Sequence, residues 1–251
     1  MASVMAEGKG ASSELLVEKL ASRHRLDEED RSALRDLPCT VQVANPNQFL
    51  VREGQVARQC SFLLSGFAIR HKIVAGGRRQ IVAILIRGDF VDLQNSMFGF
   101  ADHSVQMLTR GKISSIGRRD MRGLLRERPN VAQAMWMETL LDNAVLREWL
   151  ANLGRRDARS RIAHLLCEFA VRMKVAGLAS GIECDLPMSQ EQLADATGLA
   201  PAYVNRTLKQ LEEEELIFRA TPRSITIADW DRLSEAGDFT MGYLHLSDQD
   251  A

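Results

Sequence analysis

No excess of charge marks this sequence. Its 32 Lys and Arg stand against 33 Asp and Glu, a net charge of −1, so bulk electrostatics does not point to nucleic acid and any DNA-binding surface must be local. No apolar run approaches the roughly 20 residues that span a bilayer. The stretch Met1 to Ser13 is small and polar, without the apolar core of a secretory signal. The expected compartment is therefore the cytoplasm, with no membrane partner. The four cysteines, Cys39, Cys60, Cys167 and Cys184, never form a CxxC pair. Zinc and iron–sulfur sites take closely spaced ligands, so no metal and no cofactor is expected. Reduced thiols, some of them buried, are the reading here, with a lone redox-sensing thiol as the alternative.

What is present changes texture along the chain. Two short helices are expected at 14–21 and 27–36 after a loose tail at 1–12. Asp27 serves as N-cap, with Glu28, Glu29 and Asp30 in the first turn. From Cys39 to Ile116, short runs rich in Val, Ile, Leu and Phe alternate with Gly, Asn and Pro. The segments 62–64, 68–74, 80–86 and 112–116 read as strands, with Ala75-Gly76-Gly77 as a hairpin turn. Many short strands so spaced predict a barrel or jelly roll.

The period then becomes helical. Residues 118–128 form a short helix stopped by Pro129. Residues 130–152 lack Gly and Pro, so one long helix is expected, ended by Gly154. Ala134, Met137, Leu141, Ala144, Glu148 and Ala151 recur by three and four, a seam suited to a parallel partner helix and interrupted only by Glu148. Leu140, Val145 and Trp149 broaden the apolar surface. The alternative is a helix packed on its own domain. Arg155 to Arg159 opens another helix reaching Val175, and 177–181 is a loop.

Residues 190–209 fit a helix-turn-helix. Ser189 caps the first helix, with Gln192 as the reciprocal half of a capping box. Leu193 and Ala194 face inward, Gly198 sits at the turn, Leu199 and Val204 close the small core, and Pro201 starts the second helix. The segments 216–218 and 224–227 around Thr221-Pro222 make a wing, where Arg219 and Arg223 reach phosphates. The second helix, about 200–214, would lie in the major groove. Its N-terminal face presents Pro201, Ala202, Tyr203, Asn205 and Arg206. Arg206 is the strongest base reader, since its fork matches the guanine O6/N7 edge. Asn205 and Tyr203 read a base or hold a phosphate, whereas Ser189, Gln190 and Lys209 suit backbone contacts. The acidic run 212–215 would repel DNA and should point away from it.

With these residues in view, the chain resembles the Crp/Fnr family of bacterial transcription regulators. The likeness rests on Phe62-Leu63-Leu64-Ser65-Gly66 and Gly88-Asp89-Phe90 in the barrel, the long central helix and the winged helix-turn-helix. Tyr203-Val204-Asn205-Arg206-Thr207-Leu208 looks like a branch common in proteobacteria. The resemblance implies an α+β protein: a jelly-roll, cyclic-nucleotide-binding-like sensor domain at 14–129, a dimerisation helix at 130–153 and a winged helix-turn-helix domain at 155–235. It implies a homodimer on a two-fold symmetric duplex site and admits RNA polymerase as a further partner. Cyclic-AMP-binding members carry a Glu shortly after Gly-Asp-Phe and an Arg-Ser pair further on. Here Leu93 and His103-Ser104 stand at those positions, so cyclic AMP is not the expected effector, and no small-molecule effector is identified. The N-terminal cysteine cluster of iron–sulfur members is missing. His71 or His103 could serve as a haem ligand only in principle. Pro201 and Ala202 replace the Arg-Glu pair of cyclic-AMP-type members, so the target sequence should differ. Two other readings stay open: a constitutive regulator without an effector, and a cupin-like metal enzyme, which lacks the expected His-x-His pair.

Overall fold

The computed structural model describes residues 2–179, 183–221 and 224–246. Compactness divides the chain into two units, 1–72 with 84–142, and 73–83 with 143–251.

The first unit opens with α1 (Ala2–Ala21) and α2 (Glu28–Asp36). The expected tail at 1–12 is a correction, because α1 already starts at Ala2. Gly8 and Gly10 each cost a helix roughly 1 kcal/mol, but the helix is held by tertiary contacts further along. Ser12 Oγ donates to Ser114 Oγ at 2.7 Å, and Leu16, Val17 and Leu20 are buried. Asp27 caps α2 as expected. Its carboxylate accepts from Asp30 N at 2.8 Å, and the Asp30 carboxylate accepts from Asp27 N at 3.2 Å.

Seven strands follow: β1 (Cys39–Ala44), β2 (Phe49–Val51), β3 (Gln59–Ser65), β4 (Ala68–Ile73), β5 (Arg79–Leu85), β6 (Ser104–Met107) and β7 (Gly111–Gly117). They form two sheets, ordered β1-β7-β3 and β2-β6-β4-β5, the jelly-roll arrangement expected from the strand spacing. The four strands read from the sequence match β3, β4, β5 and β7 to within a few residues. β1, β2 and β6 were missed. β1 is defined by pairing across about seventy residues, with Thr40 opposite Ser115 and Gln42 opposite Ile113.

Then come α3 (Arg118–Glu127) and α4 (Pro129–Arg155). Phe62, Phe90, Leu93, Ile116, Met121, Val131 and Ala134 join α1 in one apolar core. Full burial of each large side chain contributes about 1.5–3 kcal/mol. Pro129 does more than stop α3: it begins α4, where its missing N–H costs nothing. The expected stop at Gly154 is also corrected. Gly154 lies inside the last turn of α4, and the chain breaks at Arg156, before Asp157 caps α5 by accepting from Ser160 N at 2.9 Å.

The second unit holds α5 (Ala158–Val175), β8 (Glu183–Asp185), α6 (Gln190–Thr197), α7 (Pro201–Glu213), β9 (Ile217–Thr221), β10 (Ser224–Ile227) and α8 (Trp230–Ala236), with a sheet ordered β8-β10-β9. The expected loop 177–181 runs past the described residues at 179. β8 escaped the sequence reading because three residues carry no periodicity. Residues 79–83 of β5 also belong to this unit, where Arg79 pairs with Asp195 at 2.7 Å. Beyond α8, the His164, Phe239 and Tyr243 rings form a triangular cluster, with His164 at 5.3 and 5.9 Å from the other two and those at 6.2 Å from each other, between centroids.

Candidate nucleic-acid interface

The helix-turn-helix is assembled by local chemistry. Ser189 has the extended backbone of an N-cap; its hydroxyl accepts from Gln192 N at 3.2 Å, while Gln192 Oε1 accepts from Ser189 N at 2.8 Å. α6 ends at Gly198, whose φ of 66° lies in the left-handed region that costs other residues about 1–2 kcal/mol. Arg161 braces that end by donating to Thr197 O at 3.1 Å. Pro201 then occupies the first turn of α7.

Val204, Thr207, Leu208 and Leu211 form the buried face of α7. Pro201, Ala202, Tyr203, Asn205, Arg206 and Lys209 are exposed. The Arg206 guanidinium sits 4.6 Å from the centre of the Tyr203 ring, a cation–π contact that limits its rotamers. No carboxylate pairs with Arg206 among the described residues. Ser189 and Gln190 are half-buried. Arg223 lies outside the described residues.

Two charged features differ from the sequence expectation. Arg219 does not project from the wing towards phosphates: it ion-pairs with Glu212, with only 13% of its side chain exposed. Glu214 accepts from Arg159 Nε at 3.0 Å and from Gln210 Nε2 at 2.9 Å. Glu212 and Glu214 of the acidic run are thus held by arginines of their own unit, which keep these two carboxyls below their ordinary range. Sequence spacing could not show this, because Arg159 is 55 residues from its partner.

The dimer seam also needs correction. Ala134 is packed in the core of the first unit, and Ala144 is buried within the chain. Glu148 ion-pairs with Arg156 at 2.7 Å. Leu141 is half-buried, while Met137 and Ala151 are exposed. The exposed apolar residues of α4 are instead Trp136 (66% exposed), Met137, Leu140, Leu146 and Leu150. The helix carries two apolar faces, and the three-and-four count locked partly onto the inner one.

The profile of the Crp-like helix-turn-helix domain matches residues 160–236, and that of the cyclic nucleotide-binding domain matches 41–128. The transcriptional activator protein FnrL of Cereibacter sphaeroides is 30% identical over 186 residues, covering 72% of this chain and 74% of that protein. The chain belongs to the Crp/Fnr family. The nitrogen fixation regulation protein FixK of Azorhizobium caulinodans is 27% identical over 184 residues, 73% of each chain. The fold of this regulator superposes on FixK2 from Bradyrhizobium japonicum with a TM-score of 0.75 at 23% identity, covering 81% of this chain and all of that one. These relatives are transcription regulators, not enzymes, which removes the cupin-like reading. Among the described residues, no helix is long and apolar enough to cross a membrane.

In the barrel of this regulator, Leu93 belongs to the same buried apolar core as Phe62 and Met121, and its side chain has nothing to offer a hydroxyl group. His103 is buried; its Nδ1 lies 2.7 Å from Asp102 Oδ1 and 3.2 Å from Gln94 Nε2. Burial and the nearby Arg70 charge lower its pKa against the opposing pull of Asp102. A neutral imidazole held in this way cannot replace a guanidinium. Of the cysteines, Cys60 and Cys167 are buried and Cys39 is half-buried. Burial and the neighbouring Asp92 push the Cys60 thiol well up, away from a reactive thiolate.

Proposed function

We propose that this regulator works as a homodimer on a two-fold symmetric duplex site, each protomer laying α7 in one major groove. The observation that carries this reading is Arg206: exposed, without a carboxylate partner among the described residues, and stacked on Tyr203. A guanidinium oriented before DNA arrives gives up less entropy on pairing with guanine O6 and N7. Asn205 and Tyr203 flank it as further base or phosphate contacts, with Pro201 closing the helix start against the groove. Ser189, Gln190, Lys209 and Arg223 position the protein on phosphates. The dimer forms along α4, through the face that carries Trp136, Met137, Leu140 and Leu150. The compartment is the cytoplasm, and RNA polymerase is a further partner. The effector is not cyclic AMP, because neither Leu93 nor His103 supplies the required polar group.

Selection of bound sequences from a random duplex pool would give the operator, with half-site centres about 34 Å apart. Arg206→Ala should then lose preference at one guanine per half-site, at a cost of about 1–3 kcal/mol. Unchanged base preference in that variant would refute the assignment of α7. Parallel gel shifts with and without cyclic AMP should coincide.

A further inference from the structure

α3 carries Arg118, Arg119, Arg122 and Arg126. At 100° per residue these four fall within an arc of about 100°. Asp120 and Glu127, the carboxylates of the same helix, fall on a different face, and Met121 and Leu124 turn to the core. Arg58 joins the four from the chain before β3, tethered by Arg118 N donating to Arg58 O at 3.0 Å. The five side chains line one open cleft of about 400 Å³.

This arrangement works against the helix that bears it. Like charges at i and i+4 destabilise a helix, and cations in the first turn oppose its dipole. Gly117 adds no side-chain cap there. By contrast Arg128, two residues beyond the cleft, binds Glu29 at 2.7 Å, and Arg35 binds Glu14 at 2.6 Å. Among the described residues, none of the five cleft arginines pairs with a carboxylate. In a chain of net charge −1, these five guanidiniums converge on one concavity with no carboxylate among its lining residues. Arg118 is also anchored: its Nη2 donates to Met97 O at 2.8 Å, while its Nε is buried without a hydrogen-bond partner.

We propose that the cleft lined by Arg58, Arg118, Arg119, Arg122 and Arg126 is a binding site for a small ligand bearing two or more linked phosphates. Planar guanidiniums match phosphate oxygens in bidentate fashion. The volume falls in the range of small-ligand sites, and a concave site suits a compact polyanion better than a flat macromolecular surface. The site is distinct from α7 and from the barrel residues Leu93 and His103.

The test is calorimetric titration of the full-length protein with inorganic tripolyphosphate, with ATP and with cyclic AMP at low salt. Saturable binding of tripolyphosphate, one per protomer, is expected. It should weaken at least about tenfold in Arg122→Ala and in Arg126→Ala, the loss of one charge-assisted hydrogen bond, and remain unchanged in Arg87→Ala. Equal binding of ATP and tripolyphosphate marks a site that reads phosphates alone; tighter ATP binding marks a nucleotide site. Cyclic AMP, a single diester, should not compete. Both cleft variants remove repulsion, so their melting temperatures should not fall, which separates lost binding from lost folding. Absence of saturable binding, or an equal loss in Arg87→Ala, overturns the proposal. So does binding of an unrelated duplex that Arg122→Ala weakens and tripolyphosphate does not displace.

Discussion

Asp92 is a carboxyl group buried in the barrel. Its Oδ1 accepts from Ser61 N at 2.6 Å and its Oδ2 from Asn95 Nδ2 at 3.1 Å. Burial outweighs these bonds and the Arg70 charge, raising its pKa to about 6 from an ordinary 3.8. A carboxyl raised in the folded state stabilises that state below its ordinary pKa. The contribution is lost as pH climbs from about 4 through 6, amounting to about 3 kcal/mol at 1.36 kcal/mol per unit. Asp92→Asn should therefore melt higher than the parent at pH 8 and close to it at pH 4. The new amide can still accept from Ser61 N. Rotation of the Asn95 amide would also give its Oδ1, buried without a partner, a donor. Thermal melts at the two pH values decide this, and a lower melting temperature at pH 8 would count against the assignment. Asp92 drew no attention as a letter in Gly-Asp-Phe-Val-Asp-Leu, because only the strands packed around it desolvate it. Arg206 was legible, because exposure follows from helical phase once the turn glycine is placed.

Among the elements, α6 and α7 were read almost to the residue. Capping by Ser189, the left-handed Gly198 and Pro201 at the helix start all act within a few positions, so local chemistry determines them. α4 shows the opposite case. Its existence follows from the missing breakers, but which face meets what depends on partners distant in sequence. Ala134 is buried in the same apolar core of the first unit as Leu20, and Trp136 stays exposed two positions later. If the exposed face makes the dimer, Leu140→Glu should shift the protein from dimer to monomer in sedimentation while the monomer keeps its helicity. Ala134→Glu should instead damage folding, because it places a charge in the core. A dimer unaffected by Leu140→Glu would move the interface elsewhere.

On the scale of the whole molecule, buried titratable groups tie the stability of each compact unit to pH. Asp92 weakens the first as pH rises through 6. In the second, His164 is buried, with Nδ1 3.0 Å from Gly237 O and Nε2 3.2 Å from the Tyr243 hydroxyl, which donates to Glu168 at 2.8 Å. Burial and the Arg156 charge lower its pKa from 6.5. A histidine depressed in this way contributes stability above 6.5 that is lost as pH falls toward its folded value. Calorimetry between pH 5 and 8 should show the second unit's transition rising with pH; a flat or falling transition there would mean that His164 is not buried as described. Gly237 makes the second cluster possible, since a Cβ there would lie 2.6 Å from His164 N.

The sequence by itself determined whatever depends on neighbours along the chain: the strand and helix textures, the caps, the turn at Gly198 and the exposure of Arg206. These are short-range effects of backbone geometry and periodicity. Only the tertiary structure decided the pairing of β1 with β7, the inward turn of Ala134, the capture of Arg219 by Glu212 and the gathering of five arginines in one cleft. Each of these depends on which groups share desolvated or like-charged space, and that is set by packing between distant segments.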